Sequence, residues 1–155
     1  MKLGATLGAT TVLGNRNPAR ANESNTAELG PQEKFPPIDV VRIGVVGLGG
    51  RGAGLLGLLL EQEGVQIKAV GDLLESRTSW AQETIQAAGQ PRPTSYTRGE
   101  YDYQRMCDEE ELDLVVTATP WRWHVPVCVS AMKTGKHAAT EVPAAVTVDE
   151  CWQLV

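Results

Sequence analysis

A parallel, doubly wound α/β sheet is the fold class this sequence predicts, and three observations predict it. Residues 41–54 read V-R-I-G-V-V-G-L-G-G-R-G-A-G, a β-branched apolar run that stops abruptly at glycines. A second apolar run at 65–71 closes on Asp72, and a third at 113–119 stops at Pro120. Stretches of helical character lie between these runs, so strand and helix alternate along the chain. Such alternation means parallel strands joined by right-handed crossovers, with helices on both faces.

The elements follow in order. The first strand carries Val41, Ile43, Val45 and Val46 and runs into Gly47, Gly49 and Gly52, the G-x-G-x-x-G spacing. Leu55, Leu56 and Leu58 to Leu60 continue as a helix, which is the strand–turn–helix setting in which that spacing binds a dinucleotide. Gly47 is expected to permit the tight turn, Gly49 to let backbone approach a pyrophosphate, and Gly52 to allow close helix–strand packing. The helix start offers free N–H groups and a positive dipole end to the phosphates. Asp72 closes the second strand about 20 residues past the last glycine, the usual offset for a carboxylate that accepts ribose hydroxyls.

A helix is expected at about 75–88, with Trp80 and Ile85 on its apolar face, and Gln90-Pro-Arg-Pro93 breaks it. A short strand near Ser95-Tyr96, a helix near 101–108 and the strand at 113–119 come next. The following helix, about 125–134, ends at Gly135 in a C-cap position. His137 to Glu141 form a fifth strand, and Thr147-Val-Asp-Glu150 is a capping box opening a last helix. That helix has an apolar face of Val148, Cys151, Trp152 and Val155 but only about two turns, which is marginal unless it packs on something. A sheet ending at its fifth strand also leaves an edge uncovered. The expectation is a Rossmann-type sheet, cut before a second domain.

A length of 155 residues gives room for one domain, and an apolar content of 42% suffices for a core. The net charge of −5 and a pI near 5.0 argue against nucleic acid or an anionic membrane as partners. Cys107, Cys128 and Cys151 are odd in number and lack metal spacing, so neither a disulfide framework nor a metal site is indicated. Cys128, in an apolar helical run, reads as a small core residue. The start of the chain differs from the rest. Residues 1–14 are small and mildly hydrophobic, too short a stretch to span a bilayer, and Ala19-Arg-Ala21 offers an A-x-A cleavage site. Residues 1–21 therefore read as a partial signal peptide, with a disordered tail as the plainer alternative. Residues 22–37 are polar and proline-bearing and read as a linker, leaving 38–155 as the nucleotide-binding domain.

Three separated motifs carry a family resemblance: Gly47-Leu-Gly-Gly-Arg-Gly52, Ala118-Thr-Pro-Trp-Arg-Trp-His124 and Gly135-Lys-His-Ala-Ala-Thr-Glu-Val-Pro143. Together they resemble the N-terminal domain of the Gfo/Idh/MocA oxidoreductases, which bind NAD or NADP on a Rossmann fold. Most members carry Glu-Lys-Pro at the third motif, with the lysine beside the nicotinamide; here that position is Val142. Valine neither donates a hydrogen bond nor moves a proton, which puts ordinary dehydrogenase chemistry in doubt. Glu-Val-Pro, W-x-W-H and the Glu-Cys-Trp of the last helix resemble glycoside hydrolase family 109, the NAD-dependent α-N-acetylgalactosaminidases.

Besides the loop glycines Gly47, Gly49 and Gly52, the resemblance implies NAD contacts from Gly50, Arg51, Asp72, Trp121, Arg122, Trp123, His124, Glu141 and Val142. Plainer roles stand beside several of these. Arg51 is either a solvated helix-start residue or a guanidinium over the pyrophosphate, a place its loop position favours. Asp72 is either a ribose acceptor or a cap for the next helix, and Trp121 and Trp123 either contacts or anchors for a second domain. His124 is either a contact or a helix-start residue with a satisfied ring. Glu141 sits where a parallel strand ends, the edge at which such sheets bind ligands, although a surface ion pair is the plainer alternative.

The mechanism implied is a redox-assisted hydrolysis in which C3 of the sugar is transiently oxidised. The ketone acidifies the C2 proton, its loss expels the glycosidic oxygen, water adds, and the ketone is reduced again. The family's substrate-contacting groups and general base belong to its second domain, so no catalytic residue is named within this chain. A sugar is the expected substrate, and a homo-oligomer is left open. The N-terminal segment resembles the back half of a twin-arginine export signal without its arginine pair, so a periplasmic or exported location is expected, with a cytoplasmic one as the alternative. Two other readings remain: half of an ordinary NAD(P)-dependent sugar oxidoreductase, and an inactive nucleotide-binding fragment.

Overall fold

β1 (Val41–Val46) is the central strand, and its composition follows from being covered on both sides. Ile43 and Val45 point into one apolar cluster and Val46 into another, while Gly44 keeps room for Leu112 and Met106. The computed structural model describes residues 38–155; the expected export segment at 1–21 and linker at 22–37 lie outside the described residues. The elements after β1 are α1 (Gly50–Leu60), β2 (Val65–Gly71), α2 (Glu75–Ala87), β3 (Thr94–Tyr96) and α3 (Asp102–Glu109). β4 (Leu114–Thr117), a 3-10 turn (Trp121–Trp123), α4 (His124–Lys133), β5 (His137–Thr140) and α5 (Val148–Gln153) complete them.

All strand pairs are parallel, in the order β3-β2-β1-β4-β5. The doubly wound expectation is borne out. α1 and α2 cover one face around Leu56, Ala81 and Ile85, and α3 and α4 cover the other around Met106, Cys107 and Val127. The strand order turns back between β1 and β4, the place at which open α/β sheets bind their ligands.

Local chemistry accounts for several boundaries. α4 ends in a Schellman arrangement: Gly135, at φ +76, donates to Met132 O at 3.0 Å, and Lys136 donates to Ala131 O at 3.0 Å. α5 opens with the capping box read from Thr147 and Glu150. Cys128 is a buried core residue, as expected. At the amino end of the sheet, Asp113 takes a fork from Arg42 (Nη2 to Oδ1 2.9 Å, Nε to Oδ2 3.0 Å) and the Arg42 N–H at 2.7 Å. Gln90, expected only as part of a breaker, uses its amide on both the Ile67 N–H and the Val65 carbonyl, and so continues the edge of β2.

Trp80 departs from expectation. It is 43% exposed, whereas the buried stripe of α2 is Thr78, Ala81, Gln82 and Ile85. Ile85 lies five residues on, roughly 140° round the helix from Trp80, so the two cannot share one face.

Candidate cofactor site

The carboxyl ends of β1, β2 and β3 and the segment after β4 surround a cleft of about 340 Å³. Its construction starts at the glycines. Gly47 has φ +86, and a Cβ there would stand 2.8 Å from Thr119 N, so only glycine makes this turn. A Cβ on Gly52 would overlap the Gly47 carbonyl oxygen, which is why α1 can start so close to β1. Above Gly50 there is nothing within 4 Å, and above Gly49 only Arg77 Nη1 at 3.9 Å. α1 has no side-chain cap, so the N–H groups of its first turn stay free. Bare backbone with free donors at a helix start is what a pyrophosphate requires.

Asp72 is fixed beside this loop. Its Oδ2 accepts the Leu48 N–H at 2.8 Å and its Oδ1 the Leu74 N–H at 2.9 Å. The side chain is 6% exposed and lines the cleft, with Arg77 Nη1 3.5 Å from Oδ2. The carboxylate thus steadies both the glycine loop and the entry to α2 and retains lone pairs for ribose hydroxyls. Both roles foreseen for it, acceptor and cap, are compatible with this geometry.

Farther in, the floor of the cleft is aromatic. Trp123 stands edge-on to Tyr101 and Tyr103, at 5.3 and 6.1 Å between ring centroids. Arg122 lies over the Trp123 ring at 5.5 Å and reaches Glu100 at 3.2 Å, spanning the wall. Burial pushes the Tyr103 hydroxyl above its ordinary pKa, so it stays a neutral donor. Burial works against the Asp102 carboxylate as well, but the Arg105 guanidinium and the Arg98 N–H outweigh it and hold the pKa below the ordinary value.

The remaining expected contacts separate. Gly47, Asp72, Arg122 and Trp123 line the cleft, and Gly49 and Gly50 border a smaller hollow of about 230 Å³ with Arg77 and Trp80. Trp121 is 63% exposed and Val142 80% exposed, beyond the cleft wall. Arg51 turns from the glycine loop to Glu141, with its Nε 2.7 Å from Oε1, an ion pair that links the start of α1 to the end of β5. His124 takes the plainer of its two expected roles, that of a helix-start residue whose ring is engaged by the protein. It is 1% exposed with both ring nitrogens against backbone carbonyls, so it lies behind the site rather than on it. Arg77, shortly after the Asp72 strand, is where the sequence offers a nearby cation, and it does stand beside that carboxylate; Tyr103 was not foreseen, and no sequence signal marks it.

A comparison with known families decides what this arrangement is. The profile described as the oxidoreductase family with an NAD-binding Rossmann fold matches residues 41–155. The chain belongs to the Gfo/Idh/MocA family. Among curated relatives, a glycosyl hydrolase family 109 protein of Saccharopolyspora erythraea is 42% identical over 121 residues, 78% of this chain and 26% of the relative. An α-N-acetylgalactosaminidase of Bacteroides fragilis is 46% identical over 120 residues, 77% of this chain and 28% of the relative. Among solved structures, myo-inositol 2-dehydrogenase from Lactobacillus plantarum superposes with a TM-score of 0.64 at 25% identity, over 74% of this chain and 32% of that one.

The chain therefore spans about a quarter of the length of the curated relatives it matches. As a Gfo/Idh/MocA domain its cofactor is NAD, and the residues present fit it: uncapped helix start, bare Gly49-Gly50 backbone and an oriented carboxylate at the end of β2. Among the described residues no cluster of side chains suits a metal ion.

Proposed function

We propose that this chain is the NAD-binding part of a glycosidase that hydrolyses α-N-acetylgalactosaminides by transient oxidation of the sugar. The observation that carries the reading is Val142, an aliphatic side chain 80% exposed just past β5, where most of the family carries a proton-handling lysine. A dehydrogenase needs a base near the carbinol, and Val142 cannot be one. The family 109 relatives support the same direction.

Bound NAD supplies a reversible hydride acceptor. This chain's residues supply its placement: the free N–H groups at the start of α1 take the pyrophosphate, and Asp72 takes the ribose hydroxyls. Trp123 and Tyr103 form an aromatic floor, and Trp121 and Val142 offer exposed apolar surface on the side where a sugar would enter. The proton-handling groups then come from outside this chain, and the 155 residues alone turn nothing over. The small-residue segment ending at Ala19-Arg-Ala21 supports export with cleavage after Ala21, which N-terminal sequencing of protein from the source cell tests.

The deciding assay gives the whole protein a chromogenic α-N-acetylgalactosaminide with and without NAD. The expected outcome is NAD-dependent release of the chromophore without net accumulation of NADH. Steady NADH accumulation on free sugars, with no glycoside cleavage, refutes the reading in favour of a dehydrogenase.

A further inference from the structure

His124 is the first residue of α4 and is 1% exposed. Its Nδ1 lies 2.7 Å from the Pro143 carbonyl oxygen and its Nε2 2.9 Å from the Thr119 carbonyl oxygen. Both partners are backbone carbonyls, which accept and cannot donate. Whichever ring nitrogen carries the proton donates to the carbonyl beside it, and the ring fills the space between the two carbonyls.

The carbonyls belong to different segments. Thr119 follows β4 and lies against the Gly47 turn, where a Cβ on Gly47 would be 2.8 Å from Thr119 N. Pro143 follows β5, two residues beyond Glu141, whose carboxylate accepts Arg51 Nε at 2.7 Å. One buried side chain therefore holds the segments after β4 and β5 in a fixed relation to each other and, through their neighbours, to the glycine loop. A dinucleotide laid across the β1–β4 switch point has its adenosine on the Asp72 side, at the end of β2. Its other nucleotide lies past β4 toward β5. The segments that His124 joins border that second half.

We propose that His124 is a positioning residue for the nicotinamide half of the cofactor. It does not touch the cofactor; it sets the distance between residues 119–123 and 141–143, between which that half lies. The inference rests on the cofactor reading above and deepens it by separating the support of the two halves. Adenosine is held on the Asp72 side, and His124 makes no hydrogen bond to Asp72.

The test titrates the wild type, His124→Asn and His124→Gln with NAD and with ADP-ribose, which lacks the nicotinamide. Both variants are expected to bind ADP-ribose within twofold of the wild type and NAD about tenfold more weakly, the effect of losing about one buried hydrogen bond. Equal losses for both ligands, as a merely structural role would give, overturn the proposal, and so does no loss for either. A wild type that binds neither ligand sinks the cofactor reading itself, and this inference with it. A second measurement needs no variant at position 124. The chain has two histidines, so ring ¹⁵N spectra of a His137→Gln protein report on His124 alone. Titration with NAD is expected to shift the His124 signals and ADP-ribose to leave them in place; equal shifts from both ligands overturn the proposal.

Discussion

Replacing Gly52 with alanine sets two effects against each other. In the interior of a helix, Gly→Ala ordinarily stabilises by about 1 kcal/mol. At Gly52 the added Cβ would stand 2.8 Å from the Gly47 carbonyl carbon and overlap its oxygen, both backbone atoms that no rotamer change can move. The turn must retreat by about 1 Å, and overpacking of that kind costs about 1–3 kcal/mol, toward the upper end where backbone has to shift. The balance is a loss of about 1–2 kcal/mol, which lowers Tm by roughly 4–8 °C for a domain of this size. The same displacement moves the free N–H groups at the start of α1, which are proposed to receive the pyrophosphate, so NAD affinity is expected to fall at least about tenfold. Gly54 is the internal control, since it lies exposed in the same helix and a Cβ there meets nothing within 4 Å. Gly54→Ala is expected to raise Tm by about 4 °C and leave NAD binding unchanged. Thermal unfolding and calorimetric titration read both. A Gly52→Ala protein as stable as the wild type, with NAD affinity within twofold, refutes the reasoning.

Asp72, held by the Leu48 and Leu74 N–H groups at 2.8 and 2.9 Å, is the carboxylate proposed to take the ribose hydroxyls, so a 2′-phosphate would meet it with a repulsion of roughly 1–4 kcal/mol that Arg77 only partly offsets. NAD is expected to bind more tightly than NADP, and Asp72→Ala to weaken NAD and narrow the difference; equal or tighter NADP binding by the wild type in calorimetry defeats this. The Arg42 fork and N–H hold the Asp113 carboxyl down to about 2, below the value it has in an unfolded chain. Its folded pKa being depressed, the contribution is complete above the unfolded pKa and is lost as pH falls from about 4 toward 2, at most about 2 kcal/mol before solvent screening is discounted. Asp113→Asn should flatten that part of a stability-versus-pH curve, and an unchanged acid limb would show that the fork contributes nothing.

Parts of this structure were legible because a residue type alone carried the constraint. Gly47 and Gly52 are needed for a positive φ and for a close approach, and few other residues satisfy either condition. Asp72 was legible by offset, because a strand and the helix before it have nearly fixed lengths. The capping box at Thr147 is a local pattern closed within four residues. Trp80 was misplaced because an indole was counted as apolar without asking which way its angle round α2 pointed it. The Arg51–Glu141 pair joins positions 90 apart, and nothing in either neighbourhood names the other.

His124 shows a subtler limit. Its sequence neighbours mark it as a residue near the site, and it is near the site, but its partners are carbonyl oxygens that every residue possesses. No sequence pattern distinguishes a histidine that faces a ligand from one that faces two main-chain carbonyls, since the difference lies in how α4 is rotated beneath the segments after β4 and β5. The same reasoning explains why the adenosine side of the cleft can be read with more detail than the other side. There the walls are made by residues with fixed surroundings: Asp72, past the end of β2, by two N–H groups, and Tyr103, in α3, by the core cluster it is buried in. Toward β5 the named residues are 63% exposed Trp121 and 80% exposed Val142, whose positions are set by surroundings rather than by burial. Binding of a dinucleotide follows from fixed backbone and one carboxylate. On the exposed side, the brace through His124 joins the segments after β4 and β5 and gives that surface a defined shape.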